Sequence, residues 1–313
     1  MKQEERNWLD LPSDLTFNIL NRIGMVDILE HAQKVCTAWR KICKDPVMWR
    51  VIDMNEVSRL EAESICKRAV DRSQGQLVDI TLINDYDAQL LLYVADRSSH
   101  LRRLEMVYSL FFGSLTEDHL MKFPLLEEVN FYFVGISKEV IKTLGSYCLM
   151  LKTLKVNEKP NRSHVYDDTD EIAIAIEQNL VELRHLELVG NRMTNIGLQA
   201  ILDNCHQLQT LDLRACFNIA LNGDLEKKCF EQIKYLKFPK DSLQGCPYIC
   251  ETDSDATDEY GSDDRLDEDC YNFRSYDERR DDRPYMDSYS YNYRDNCDGY
   301  DSFDVYDYHF QID

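Results

Sequence analysis

Thr194-Asn195-Ile196-Gly197-Leu198-Gln199-Ala200-Ile201-Leu202-Asp203-Asn204-Cys205-His206-Gln207-Leu208-Gln209-Thr210-Leu211-Asp212-Leu213 carries two apolar rhythms, one after the other. Leu198, Ile201, Leu202 and Cys205 fall at i, i+3, i+4 and i+7, the spacing of one helix face. Thr194 stands where an N-cap would be. Leu208, Leu211 and Leu213 follow with the shorter spacing of a strand whose apolar side chains face one way. The same hexamer is written at Leu77/Ile80/Leu82, Leu101/Leu104/Met106, Leu126/Val129/Phe131, Leu151/Leu154/Val156, Leu183/Leu186/Leu188 and Ile233/Leu236/Phe238. The intervals between starts are 24, 25, 25, 32, 25 and 25 residues. Trp49/Ile52/Met54, 28 residues ahead of Leu77, reads as a degenerate first unit. The helical stripe also returns, as Val140, Ile141, Leu144 and Cys148 behind a capping Ser137.

A hexamer of this form at this period is the signature of leucine-rich repeats. The stretch from Thr194 to Cys216 resembles the cysteine-containing subtype. No single repeat buries its own apolar face, so stability is roughly a sum over repeats and their contacts. Residues beside the second and third apolar positions point out of the strand layer: Asp79, Thr81, Arg103, Glu105, Glu128, Asn130, Tyr132, Thr153, Lys155, His185, Glu187, Thr210, Asp212, Arg214, Tyr235 and Lys237. Stacked, they line a concave surface, either a binding face for a polar, charge-patterned protein or an ordinary solvated face. The long interval holds its excess around Lys159–Asp168, which is polar and carries Pro160, and so predicts a surface loop. It is either a binding loop or a passive insertion.

Ahead of the repeats lies Leu11-Pro12-Ser13-Asp14, then Ile19-Leu20, Val35-Cys36-Thr37-Ala38-Trp39-Arg40 and Asp45-Pro46-Val47-Met48-Trp49. Leu15, Ile19 and Ile23 recur every four residues on one helix face. Val35, Trp39, Ile42 and Cys43 predict the buried face of a second helix. A unit of this size buries too little surface to stand comfortably alone, and its spare apolar residues need a neighbour or a partner. The order of these elements resembles the F-box, with two departures: Asp14 stands where Glu is common, and Gly24-Met25 replaces an apolar-Pro pair. The resemblance implies a three-helix module that docks on the Skp-family linker of a cullin-RING ubiquitin ligase. It carries that role onto Leu11, Pro12, Asp14, Ile19, Leu20, Val35, Cys36 and Trp39. The bland reading is a helical cap on the repeats. Over residues 8–250 the chain resembles plant F-box/leucine-rich-repeat proteins of the Skp-interacting-partner group, in which the cysteine-containing repeat is common.

The expected fold is therefore α/β: a three-helix F-box at 8–54 capping a leucine-rich-repeat solenoid of about seven units at 55–245. Residues 251–313 hold 21 Asp and Glu, six Arg, ten Tyr and no Lys, a composition that predicts disorder. This tail is either a solubilising appendage or a segment that reaches back to Lys234, Lys237 and Lys240. Because Lys240 is the last lysine, self-ubiquitination is expected to be confined to the first 240 residues, which site mapping by mass spectrometry checks. The net charge of -21 argues against nucleic acid and against an anionic membrane surface. No apolar run is long enough to span a bilayer, and no signal-type stretch follows the N-terminus. Eleven cysteines in mostly apolar patterns read as buried thiols of a nuclear or cytoplasmic protein. Cys246 and Cys250 lack the further ligands of a zinc site, and Asp253, Asp255, Asp295 and Asp298 lack the ladder of a calcium loop, so no metal or cofactor is expected. The resemblance makes the chain a non-catalytic substrate-recognition subunit of a ubiquitin ligase. The alternative is an interaction scaffold that uses its F-box in a non-degradative complex. An enzyme with an unrecognised site is the third reading.

Overall fold

A computed structural model describes residues 11–55, 57–58, 60–83, 88–108, 115–160 and 170–249. Most of the expected long loop and the whole acidic tail lie outside the described residues.

The repeats build a single parallel sheet in sequence order. Its strands are β1 (Val51–Asp53), β2 (Asp79–Ile83), β3 (Arg103–Val107), β4 (Glu128–Tyr132), β5 (Thr153–Asn157), β6 (His185–Glu187), β7 (Thr210–Asp212) and β8 (Tyr235–Lys237). Register follows the hexamers: Ile80 pairs Leu104, Leu104 pairs Val129, and so on through Leu154, Leu186 and Leu211. All six are 0 or 1 % exposed. Burying one such side chain contributes about 1.5–3 kcal/mol, so this ladder is a principal source of stability. Behind the sheet lie α5 (Ala62–Ser73), α6 (Ala88–Arg97), α7 (Glu117–Leu120), α8 (Lys138–Tyr147), α9 (Glu171–Asn179), α10 (Asn195–Asn204) and α11 (Gly223–Gln232). The degenerate unit is a true first repeat, since Ile52 pairs Ile80 in β1.

The repeat cysteines join neighbouring turns. The Cys148 thiol donates to the Leu120 carbonyl and that of Cys205 to the Leu180 carbonyl, both over 3.9 Å, while Cys216 donates to Leu188 at 2.9 Å. Burial pushes the Cys148 thiol up to about 12 and that of Cys205 up to about 11, so neither supplies a thiolate near neutral pH. Thr194 caps α10 as expected, its Oγ1 accepting from Ile196 N at 3.1 Å. Ser137 holds the N-cap position of α8 but makes no side-chain cap bond; Val140 N donates to the Ser137 carbonyl instead.

Adjacent helices approach closely at Gly145. A Cβ added there would overlap the Asn179 carbonyl and lie 2.8 Å from Asn179 Cβ at the end of α9. Alanine gains up to about 1 kcal/mol of helix propensity over glycine, but forcing the turns apart costs about 1–3 kcal/mol. Gly145→Ala is therefore expected to lower Tm, read by a calorimetric scan.

The N-terminal module is α1 (Ser13–Leu20), a helix whose successive parts are α2 (Met25–Asp27), a π-type turn (Ile28–Ala32) and α3 (Gln33–Val35), and then α4 (Thr37–Cys43). The predicted stripe Val35–Cys43 is not one buried helix face. Cys36 breaks it with extended backbone (φ -156, ψ 172), caps α4 through Sγ, and leaves Val35 63 % exposed. The module is latched to the first repeat helix. Arg72 donates to the Cys43 carbonyl (3.1 Å) and to Gln33 Oε1 (2.8 Å), while Trp49 Nε1 donates to the same Cys43 carbonyl. One apolar core runs without a break from Leu20 to Ile233, so a boundary between residues 54 and 55 divides no core.

Candidate functional site

Two surfaces carry the candidate residues. On the N-terminal module, Pro12, Asp14, Ile19 and Val35 are exposed, and Leu11, Cys36 and Trp39 are half-buried. Leu11 and Trp39 share a cleft of about 310 Å³ between α1 and α4, together with Ser13, Thr16, Ala38, Lys41, Ile42 and Asp45. Leu20 does not belong to this surface. It is 0 % exposed in the core, because one helical step past Ile19 rotates its side chain inward. Leu15, Ile23 and Val47, at 47, 37 and 48 % exposed, are further aliphatic side chains on the outside of the module. The four-residue spacing of Leu15 and Ile19 carries that signal: it marks the outer face of α1, while Thr16 and Leu20 are buried and Ile23 follows in the turn beyond the helix.

The second surface is the outer face of the sheet, and it is not the open row of side chains that the hexamers predict. Thr81, Glu105, Asn130, Tyr132, Asp212 and Arg214 are all buried. Part of the covering is mutual. Arg103 donates to Asp79 (2.8 Å), Glu128 (3.3 Å) and Glu105, and Asn130 Nδ2 donates to Glu105 (3.0 Å) and Glu128 (2.8 Å). The rest is a strap, residues 242–249, which runs back from the last repeat across the C-terminal ends of the strands. Arg214 anchors it, donating to the carbonyls of Ser242 (2.9 Å) and Gln244 (3.2 Å) while its other nitrogens fork onto Asp212. Leu243, Cys246 and Ile249 pack on Val189 and Ala215. Tyr248 then sets its ring 5.1 Å from that of Tyr132 and donates to Glu105 Oε1 (2.9 Å), with the Asn55 amide 3.2 Å from the same hydroxyl.

The bed for this strap is made by backbone strain. Tyr108, Phe133 and Ala215, each just past its strand, have φ of 54, 56 and 58, a left-handed conformation that costs non-glycine residues about 1–3 kcal/mol. Bonds to the next repeat hold them there: Tyr108 N to Tyr132 O, Phe133 N to Asn157 O and Ala215 N to Pro239 O. Tyr108 and Phe133 stack at 4.8 Å, and Tyr108 Oη donates to the Tyr248 carbonyl. Sequence reading missed this cover because the hexamers predict direction along a strand, not which distant segment returns over it.

What stays open lies nearer the start of the later strands. His185, Tyr235 and Lys237 are exposed, and Thr153, Lys155, Glu187 and Thr210 are half-exposed. Arg103 and Glu128 are half-exposed but paired with each other, and Arg103 also with Asp79. Among the described residues no cluster of His, Cys, Asp and Glu is arranged to hold a metal ion, and no helix is long and apolar enough to cross a membrane.

Comparison with known families matches residues 8–55 to the F-box-like family. Among curated proteins the chain is similar to the F-box protein SKIP19 of Arabidopsis thaliana, with 44 % identity over 264 residues, 82 % of this chain and 84 % of that one. It is 42 % identical over 287 residues to the putative F-box/LRR-repeat protein 22 of the same plant, covering 84 % of this chain and 91 % of the relative. The putative F-box/LRR-repeat protein 23 is 45 % identical over 246 residues, 76 % of this chain and 54 % of the relative.

Proposed function

The chain belongs to the plant F-box/leucine-rich-repeat family, and on that premise we propose that it is the substrate-recognition subunit of an SCF-type (Skp–cullin–F-box) ubiquitin ligase. The observations that carry this reading are the exposed aliphatic side chains of the N-terminal module, Leu15, Ile19, Ile23, Val35 and Val47, and the cleft that Leu11 and Trp39 line. An apolar surface of this kind docks on a complementary protein, here the Skp-family linker and through it a cullin. The repeats then hold a protein substrate. The chain itself performs no chemistry: it raises the local concentration of substrate lysines near a ubiquitin-charged conjugating enzyme. Its described cysteines are all free thiols, in keeping with action in the nucleus or cytoplasm.

The test is capture of the tagged full-length chain from plant extract, with linker and cullin each measured. Arrival of both, in stoichiometric amounts, supports the ligase reading. Linker without cullin converts the chain into a non-degradative scaffold, and absence of the linker removes the reading altogether.

A further inference from the structure

The outer face of the sheet and the edge at which its strands begin are electrically divided. Three positions per strand decide this: the residue just before the strand, at the sheet's N-terminal edge, and the two outward positions that follow. Across β1–β4 they hold Asp53, Asp79, Glu105, Glu127 and Glu128 against Arg50, Arg102 and Arg103. Across β5–β8 they hold Lys152, Lys155, Arg184, Lys234 and Lys237 against only Glu187 and Asp212. The bonds follow the same division. In the early half Arg102 pairs with Glu127 at 2.6 Å, and Arg103 is taken by three carboxylates. In the later half Glu187 is met by Lys155 (3.7 Å) and Asp212 by Arg214 (2.7 Å) and Lys237 (3.0 Å). Lys152, Arg184 and Lys234 are left with no ion-pair partner among the described residues. They stand in register, since the backbones of Lys152, Arg184, Gln209 and Lys234 are bonded in series, about 4.8 Å apart from strand to strand. Beside them Tyr235 presents 60 % of its surface to solvent. This is a basic row with an aromatic anchor on a chain whose net charge is -21, at the end of the strands opposite the strap.

From this we infer that β5–β8 form a shelf for an extended acidic peptide segment of the substrate, lying across the strands at the end opposite the strap. The inference rests on the adaptor reading above and names the kind of substrate it takes. Glu and Asp side chains spaced along such a segment meet Lys152, Arg184 and Lys234 in turn, and Tyr235 supplies the apolar contact typical of interface hot spots. Charge selects the partner and speeds its arrival, and both effects fade with salt.

The experiment uses the full-length chain copurified with its Skp-family linker. The probes are a labelled Glu-rich peptide containing one Tyr, its Gln counterpart, and a labelled oligothymidylate. Binding is measured by fluorescence anisotropy at low and high salt. The expected result is salt-sensitive binding of the Glu peptide alone. Arg184→Glu with Lys234→Glu weakens it by about tenfold or more. Lys142→Glu with Lys227→Glu, an equal charge change on the exposed helices, leaves it within about twofold. Equal binding of the Gln peptide, oligothymidylate binding as tight as the Glu peptide, or indifference to the Arg184/Lys234 change overturns the inference. So does peptide binding seen only after residues 251–313 are removed, which would make the chain's own tail the occupant. Linker recovery in each preparation separates the outcomes: loss of the linker strikes the adaptor reading, while retained linker with no acidic-peptide binding strikes this inference alone.

Discussion

Leu11→Ala combined with Pro12→Ala weakens binding to the Skp-family linker by about 30-fold or more while leaving Tm unchanged. The size follows from the rule that a central interface residue contributes on the order of 2 kcal/mol, close to a 30-fold change in Kd. The specificity follows from where the two residues lie. Leu11 lines the cleft between α1 and α4, and Pro12 is exposed at the N-cap of α1. Neither belongs to the apolar core. Pro12 contributes to the fold through its carbonyl, which accepts from Thr16 N at 3.0 Å, and alanine keeps that carbonyl. Val35→Ala is expected to act in the same direction, since Val35 is 63 % exposed and touches no core. Trp39→Ala is the wrong instrument: Trp39 packs against the core, and truncating a packed tryptophan costs about 3–5 kcal/mol. Titration of the linker by calorimetry, with a thermal scan of each variant, gives both numbers. Unchanged affinity for the Leu11/Pro12 variant ends the docking assignment.

The contrast between Leu20 and Val189 shows how much of this molecule its sequence makes legible. Repeats are read easily because the signal is local and repeated. Leu77, Leu101 and Leu126 each announce a strand, and register follows once the strands are parallel and sequential. The role of Leu20 was misread because the resemblance treats Ile19-Leu20 as one surface pair, whereas a helix turns neighbours about 100° apart and only Ile19 stays outside. Periodicity misplaces Val35, which the resemblance puts on the surface, for a related reason. Periodicity carried its stripe through Cys36, and nothing in the spacing shows that Cys36 leaves the helix to become a cap. The covering of Val189, Tyr132 and Asp212 has no local signature at all. It depends on Tyr248 meeting Asn55, 193 residues away in the chain, and hydrophobic periodicity has no reach of that kind. The candidate site was therefore legible wherever a face belongs to one element, and illegible wherever a second segment closes over it.

Arg214→Ala tests that closure. Asp212 is 3 % exposed and Arg214 forks onto it from Nε (2.9 Å) and Nη2 (2.7 Å), while Nη1 holds the strap at two carbonyls. Removing one partner of a buried pair costs about 3–5 kcal/mol. Lys237 still reaches Asp212 at 3.0 Å, so the lower end applies. For a chain of this size about 3 kcal/mol lowers Tm by roughly 6–12 °C. The pH dependence has a definite sign. Burial alone would push the Asp212 carboxyl up, but the bonds from Arg214 and Lys237 hold it below the ordinary aspartate value. A carboxylate depressed in the fold contributes stability above its unfolded pKa, and that stability is lost as pH falls through the folded value. Without Arg214 the depression shrinks, so the Asp212 contribution fades at a higher pH during acidification than in the wild type. The strap supplies a second readout. With the donor to its two carbonyls gone, amide exchange at 243–249 accelerates more than exchange in β4 and β5. Arg214→Lys keeps the charge but not the fork, and falls between wild type and alanine on both measures. If Tm and exchange at 243–249 are both unmoved in Arg214→Ala, the strap is held by its apolar contacts to Val189, Ala215 and Tyr132, and the fork on Asp212 is incidental to the closure.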